Sequence, residues 1–478
     1  MSKPRLFRIW TRVSLRFLPF TDVATADLPL TRLLRLSLFQ VSVGLSTALL
    51  LGTLNRVMIV ELGMAAWLVA LMVALPIVAA PLRTLIGHRS DVHASVIGWR
   101  RVPYIFLGTL LQFAGLAIMP FALLLLTGQG ELGLAWLGHA AAALAFLLVG
   151  AGLQTTQTAG LALATDLARA DLRPRVVALM YVMLLVGLLA GGGIASALLA
   201  GFTPTRLVQV VQGAAVVTVI LNGVALWKQE ARDPTRRPRA DAPAPAFAER
   251  WSSFIALPRS RRFLWAVGLG TAAFSMQDVV LEPYGGEILH LGVGATSALT
   301  AVYAAGSLAA FIWAARLLGR GGDPCRVAAL GALLGLPAFA AVVFAAPMEA
   351  PGLFRAGTAL IGFGAGLFAV GTLTEAMNLE RPSHIGLALG AWGAVQASAG
   401  GLAVAAGGAM RDLMSSLARQ GALGPALIDP VTGYSFVYHV ELALLFFTLV
   451  ALGPLVRPWG RRAGETARQP FGLADFPG

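Results

Sequence analysis

The sequence predicts an all-α, polytopic membrane protein with twelve transmembrane helices in two pseudo-symmetric six-helix bundles. Three observations predict it. Hydrophobic residues make up 57% of the 478 residues and charged residues only 12%, too little polar surface to keep such a fold in water. The apolar residues are gathered into runs that reach the roughly 20 residues needed to cross a bilayer. Basic residues punctuate these runs, and one long charged segment divides the series into six and six.

Residues 1–32 form a basic cytoplasmic N-terminal segment. Its opening, MSKPRLFRIWTRVSLRFLPF, lacks the continuous apolar core of a cleavable signal peptide. Two readings stay open: a positively charged tail, or an interfacial amphipathic helix with Leu6, Ile9, Trp10, Val13 and Phe17 opposite Arg8, Arg12 and Arg16. The N-terminal bundle, 33–227, holds spans at 33–60, 65–86, 102–126, 134–164, 176–200 and 207–227. A cytoplasmic linker follows at 228–262, rich in Pro, Ala and Arg, with a short surface helix expected near 247–255. The C-terminal bundle, 263–457, holds spans at 263–281, 295–318, 327–346, 353–377, 385–410 and 436–456, and 458–478 is a cytoplasmic tail.

Charge orients the bundle. With the N-terminus inside, the inner segments collect Arg89, Arg100, Arg101, Arg169, Arg173, Arg175, Arg316, Arg320, Arg326, Arg381 and both basic ends, while the outer connections hold Arg56, Arg206, Arg355, Arg411 and Arg419. Positive charge is retained on the cytoplasmic side, so both termini are expected there. The same topology accounts for the net charge of +13 without nucleic acid. A single cysteine, Cys325, excludes an internal disulfide and a multi-cysteine zinc or iron-sulfur centre. Trp67, Trp99, Tyr104, Trp136, Trp227, Trp251, Trp265 and Tyr438 fall near span ends, as an interfacial aromatic belt should.

Internal repeats support two duplicated halves. Gly87-x-x-x-Asp91 follows the second span and Gly319-x-x-x-Asp323 follows the eighth; the first of these loops continues to Gly98, Arg100 and Arg101. The fourth and tenth spans end alike, with Thr165-Asp166 before Arg173-Pro174 and Thr374-Glu375 before Arg381-Pro382. Six plus six spans with such a loop resemble the major facilitator superfamily, although Asp91 to Gly98 is four residues longer than its usual spacing. That departure, with GHRSD…GWRRVPYI, NRVMIVEL at 55–62, LAIMPFALLLL at 116–126 and QDVVLEPYGG at 277–286, is similar to the PucC/LhaA group, the bacteriochlorophyll delivery family. The similarity covers about residues 28–456.

The superfamily resemblance implies that each loop aspartate couples the two bundles at a helix start: Asp91 near 383–385 and Asp323 near Arg175. Asp166 is then expected to pair with Arg100 or Arg101, and Glu375 with Arg326. Polar groups within spans are costly and therefore informative: Gln40, Asn55, Arg56, Gln112, Gln154, Gln157, Gln277, Asp278, Glu282, Gln396 and Glu441. Arg56 either snorkels to the headgroups or pairs with Asp278 or Glu282 across the equivalent first and seventh spans. A magnesium tetrapyrrole commonly takes a neutral imidazole as axial ligand, and a carbonyl, Asn, Gln or water can also coordinate it; His139 and His439, near the outer ends of their spans, are the pigment-binding candidates.

The glycine runs at 187–193, 362–366 and 386–408 lie inside apolar spans and lack the strand and Lys-Ser/Thr of a nucleotide site, so they are read as helix packing. No catalytic signature occurs, and a non-enzymatic protein without nucleotide or haem is expected. The resemblance implies an assembly factor for LH1 or LH2 antenna, with LH1 favoured, that delivers bacteriochlorophyll. It also implies antenna α and β polypeptides, chlorophyll synthase and the Sec/YidC machinery as partners in the lipid. Two other readings stay open: a proton-coupled transporter of an amphipathic solute, and a pigment-free scaffold for antenna helices.

Overall fold

The computed structural model describes residues 28–78, 99–126, 135–169, 172–230, 255–378 and 385–456, and every regular element among them is helical. The first half comprises α1 (Leu30–Glu61), α2 (Ala66–Val78), α3 (Val102–Leu126), α4 (Ala135–Leu167), α5 (Arg173–Leu198) and α6 (Pro204–Leu226). The second comprises α7 (Pro258–Glu287), α8 (Val293–Gly319), α9 (Pro324–Ala345), α10 (Pro351–Asn378), α11 (Ile385–Arg419) and α12 (Val431–Leu452). Among the described residues, eleven are long and apolar enough to cross a membrane, and the described part of α2 is a shorter apolar helix. Proline opens α5, α6, α7 and α9, where its missing N–H costs nothing. Thr203 caps α6 by accepting from the Arg206 backbone N–H at 3.1 Å.

Within the first half α3 packs on α4, and α1 on α5 and α6; within the second, α9 and α8 pack on α10, and α7 on α11 and α12. The halves meet through α2 against α11 and α5 against α8. Each half begins and ends on one face, here called the near end. There the Arg32 Nε donates to Gln229 Oε1 at 3.1 Å and its Nη2 to the Gln229 carbonyl at 2.7 Å, tying α1 to the end of α6. At the far end Gly294, opening α8, abuts Ala200, just beyond α5, so the two halves share the same faces.

Several links between the halves lie towards the far end. Thr53 Oγ1 and Ser297 Oγ are 2.9 Å apart, and the Trp67 N–H donates to Asp412 Oδ2 at 2.8 Å. Gly408 of α11 meets α2 so closely that a Cβ there would lie 2.7 Å from the Ala66 carbonyl oxygen. Only glycine permits that approach.

Several boundaries differ from the sequence reading, two of them with an evident cause. The linker was expected from residue 228, yet Gln229 and Glu230 are packed against the first bundle. The seventh helix begins at Pro258 rather than 263. Its basic start looks too polar for a span, but Arg262 satisfies the Ala451 and Val450 carbonyls at the end of α12, at 3.0 and 3.2 Å. Most of the surface helix expected near 247–255 lies outside the described residues.

Candidate functional site

The regular helix fails in two places that face each other. α1 is π-helical over Ala48–Leu54 and Val57–Glu61, and α7 is interrupted by a 3₁₀ turn, Met276–Val279. Mid-helix irregularities of this kind accompany functional sites because they free backbone groups. The α7 turn is packed against the π-helical part of α1 and against α2, α11 and α12. Asn55 Nδ2 donates across this junction to the Val279 carbonyl at 3.0 Å.

Around the turn the side chains supply acceptors in excess. Thr300 Oγ1 donates to Glu282 Oε1 at 2.6 Å, but Glu282 Oε2 is buried without a partner. Gln277 Nε2 donates to Asp278 Oδ1, leaving Gln277 Oε1 unmatched. Glu441 of α12 is 0% exposed, and its carboxylate is met by the Gln277 backbone alone, with no side-chain hydrogen bond. It lies within electrostatic reach of Asp278. One wall is aromatic: Tyr284 stands edge-on to Tyr434 and Tyr438, with centroids 5.5 and 5.7 Å away. Carboxylates and amide oxygens only accept unless protonated, so this cluster suits a proton, a cation or a ligand's N–H or O–H groups.

Arg56 makes no direct ion pair with Asp278 or Glu282, although it lies within electrostatic reach of Glu282. It is buried and forms its ion pair with Glu61, while Nη2 donates to the Leu291 carbonyl at 3.2 Å. The π-helical winding explains the correction, since it brings residues five apart onto one line. Its contact to Leu291 still joins α1 to the second half. Nearby, Arg411 binds Glu287 and Asp412 and donates to the Tyr434 hydroxyl at 2.9 Å. That far-end network was not singled out from sequence, where Arg411 reads as a lone outer charge.

At the near end Asp166 pairs with both Arg100 and Arg101, the latter at 3.1 Å, as the repeat predicts. Glu230 adds a contact the sequence did not reveal: its carboxylate accepts the backbone N–H groups of Arg100 at 2.8 Å, Arg101 at 3.0 Å and Val102 at 3.0 Å, capping α3. The only signal was an acid just past the sixth span. In the second half Glu375 pairs with Arg259 of α7 at 2.7 Å, not with Arg326. Arg326 is close in the repeat but lies in the first turn of α9, whereas Arg259 projects from the neighbouring helix start.

Gly319 ends α8 and Asp323 is the residue before α9. Arg173 is exposed in the first turn of α5. Gly87, Asp91, Gly98 and Arg381 lie outside the described residues, as do residues 383 and 384.

Gln154 is half-buried on α4, with Oε1 unmatched. His139 is half-buried on the same helix. His439 differs: it is exposed on α12, and its Nδ1 is 2.6 Å from the Ser435 carbonyl oxygen. A carbonyl can only accept, so Nδ1 carries the proton and Nε2 of the neutral ring keeps its lone pair. The exposed Phe436, Phe446, Phe447 and Val450 of α12 mark a lipid-facing flank. A separate cavity of about 570 Å³ lies between α1, α5 and α6, lined mainly by Leu49, Ile194, Leu198, Val217 and small residues, with Arg206 and Gln209 as its polar members.

The model of one protein family, described as PUCC protein, matches residues 53–459. The chain belongs to this family. It is 54% identical over 416 residues to Protein PucC of Rhodovulum sulfidophilum, covering 86% of this chain and 91% of that one. It is 50% identical over 467 residues, 97% of this chain and 98% of the other, to a Rhodobacter capsulatus protein described as an uncharacterized protein in the puhA-bchM intergenic region. Among solved structures, a bacterial homologue of the iron transporter ferroportin in its inward-facing state matches with a TM-score of 0.63 at 16% identity, covering 89% of this chain and 98% of that one. The nucleoside transporter NupG matches with 0.64 at 15%, covering 89% and 100%. These likenesses establish a multi-pass membrane protein of the major facilitator fold.

Proposed function

We propose that this protein is a non-enzymatic assembly factor for bacterial light-harvesting antenna, which carries bacteriochlorophyll to the LH1 or LH2 polypeptides as they enter the membrane. Membership of the PUCC family supports the antenna role, and another relative, 28% identical over 87% of this chain and 92% of its own, is described as a bacteriochlorophyll synthase chain. The observation that carries pigment binding is His439. Its Nδ1 is held by the Ser435 carbonyl at 2.6 Å, which leaves Nε2 as the imidazole nitrogen to ligate magnesium. The residue lies eight positions into α12, about 12 Å from its end at 1.5 Å per residue. Partners on this reading are the antenna α and β polypeptides, chlorophyll synthase and the Sec/YidC machinery, with both termini on the cytoplasmic side of the inner membrane.

The test is the near-infrared spectrum of the full-length protein purified in mild detergent. Stoichiometric bacteriochlorophyll is expected, lost in His439→Leu and kept in His139→Leu. A pigment-free protein that co-purifies with antenna polypeptides would replace this reading with that of a scaffold. The buried carboxylate of Glu441 beside Asp278 favours a second reading, proton-coupled transport of an amphipathic solute. Solute uptake left intact by Asp278→Asn would set that reading aside.

A further inference from the structure

At the near end of the second half, a thiol and two carboxylates converge. Asp323, Cys325 and Glu375 each offer one ligand atom, and these atoms all lie within 4.8 Å of one another. We propose that these three residues form a binding site for a zinc-type divalent metal ion, fastening the α8–α9 loop to the end of α10.

Local structure prepares the cluster. Asp323 occupies the N-cap position of α9, yet its side chain makes no capping bond to that helix. Cys325 is buried in the first turn of the same helix. Glu375 arrives from α10, and its height is set four residues earlier by Gly371. A Cβ at Gly371 would lie 2.5 Å from the Ala328 nitrogen and 2.6 Å from the Pro324 carbonyl oxygen, so α10 and α9 touch backbone to backbone there. One turn beyond that contact, Glu375 stands over the start of α9.

The carboxylate of Glu375 carries the second indication. The side chain is 1% exposed; Oε1 accepts from Arg259 at 2.7 Å, and Oε2 is buried with no partner. A buried carboxylate oxygen without a partner loses its solvation for nothing in return. A carboxylate oriented by an outer hydrogen bond through one oxygen, with the other oxygen turned inward, has the usual arrangement of a metal ligand and its supporting group. Arg259 also offsets part of the anionic charge that three such ligands bring together.

The donor set selects the ion. A thiolate disfavours Mg²⁺ and Ca²⁺, which take oxygen shells, whereas one sulfur and two carboxylates suit Zn²⁺ in a tetrahedral site whose fourth position goes to water. With bonds of about 2.0–2.3 Å, ligand atoms in a tetrahedral shell stand roughly 3.3–3.8 Å apart. Closing the observed cluster to that size requires small side-chain rotations. The site is distinct from any magnesium pigment and does not depend on how His439 behaves.

Cobalt makes the site visible, because Co²⁺ occupies zinc sites and a thiolate ligand gives it a near-ultraviolet charge-transfer band. The full-length protein, purified in mild detergent and stripped with chelator, is titrated with Co²⁺. One equivalent should bind, produce that band together with intense visible bands of tetrahedral geometry, and be displaced by Zn²⁺ but not by Mg²⁺. Cys325→Ser should abolish the charge-transfer band, and Glu375→Gln should weaken Co²⁺ binding at least tenfold. Absence of the band in the unaltered protein, or its survival in Cys325→Ser, would overturn the proposal. Zn²⁺ should also raise the unfolding temperature of the unaltered protein and not that of Cys325→Ser; an equal rise in both would count against the site.

Discussion

The two halves of the molecule carry the same sequence repeat at the ends of α4 and α10, and they use it differently. In the first half Asp166 is 37% exposed and shares two arginines from the start of α3. In the second, Glu375 is 1% exposed and takes its arginine from the start of α7, with Arg259 itself 44% exposed. Duplication preserved the position of an acid and changed its surroundings, from a half-exposed carboxylate between buried and half-buried arginines to a buried carboxylate beside a thiol. Burial of the acid, more than the presence of an ion pair, decides what each contributes, because solvent reaches Asp166 directly and Glu375 only through its exposed arginine.

Four substitutions test that difference, the largest effect first. Gly371→Leu forces a side chain into the backbone contact between α10 and α9, which should cost about 3 kcal/mol or more and lower the thermal midpoint in detergent sharply. Glu375→Ala should cost about 2 kcal/mol, since it removes a charge-assisted bond from a buried group. An effect as small as that of its counterpart would break the comparison. Glu230→Ala leaves three backbone N–H groups of α3 without their carboxylate and should cost about 1 kcal/mol, the size of a lost cap. Asp166→Asn should cost only about 0.5 kcal/mol, an effect that shrinks further in about 1 M salt. A salt-insensitive loss would show that Asp166 is shielded from solvent after all.

Much of the fold was legible because lipid imposes a simple rule: a span needs a long apolar run, and that signal is local. The pairing of Asp166 with Arg100 and Arg101 was legible for a related reason, since the repeat places these residues on adjoining helix ends. The partner of Glu375 was not. Arg259 lies 116 positions away at the start of a helix whose first turn reads as linker, while Arg326 looks nearer in the repeat. Arg56 misled for a different reason. Assigning it to Asp278 or Glu282 assumed a regular α1, and a π-helical stretch leaves no distinctive residue pattern, yet it turns Arg56 towards Glu61. Asn55, Gln277, Asp278, Glu282 and Glu441 were recognisable as polar groups out of place. Their gathering around the α7 turn depends on contacts between helices far apart in sequence.

The tight crossing at Gly408 gives the molecule a fulcrum. α11 runs for 35 residues, and Gly408 sits eleven positions from its far end and twenty-three from the start of the helix, so the helix is a lever with a short arm and a long one. At 1.5 Å per residue the long arm measures about 35 Å, and tilting it by about 5° on this pivot would swing the near end through about 3 Å. A motion of atomic size where α2 and α11 touch would thus be magnified several-fold at the opposite face of the molecule.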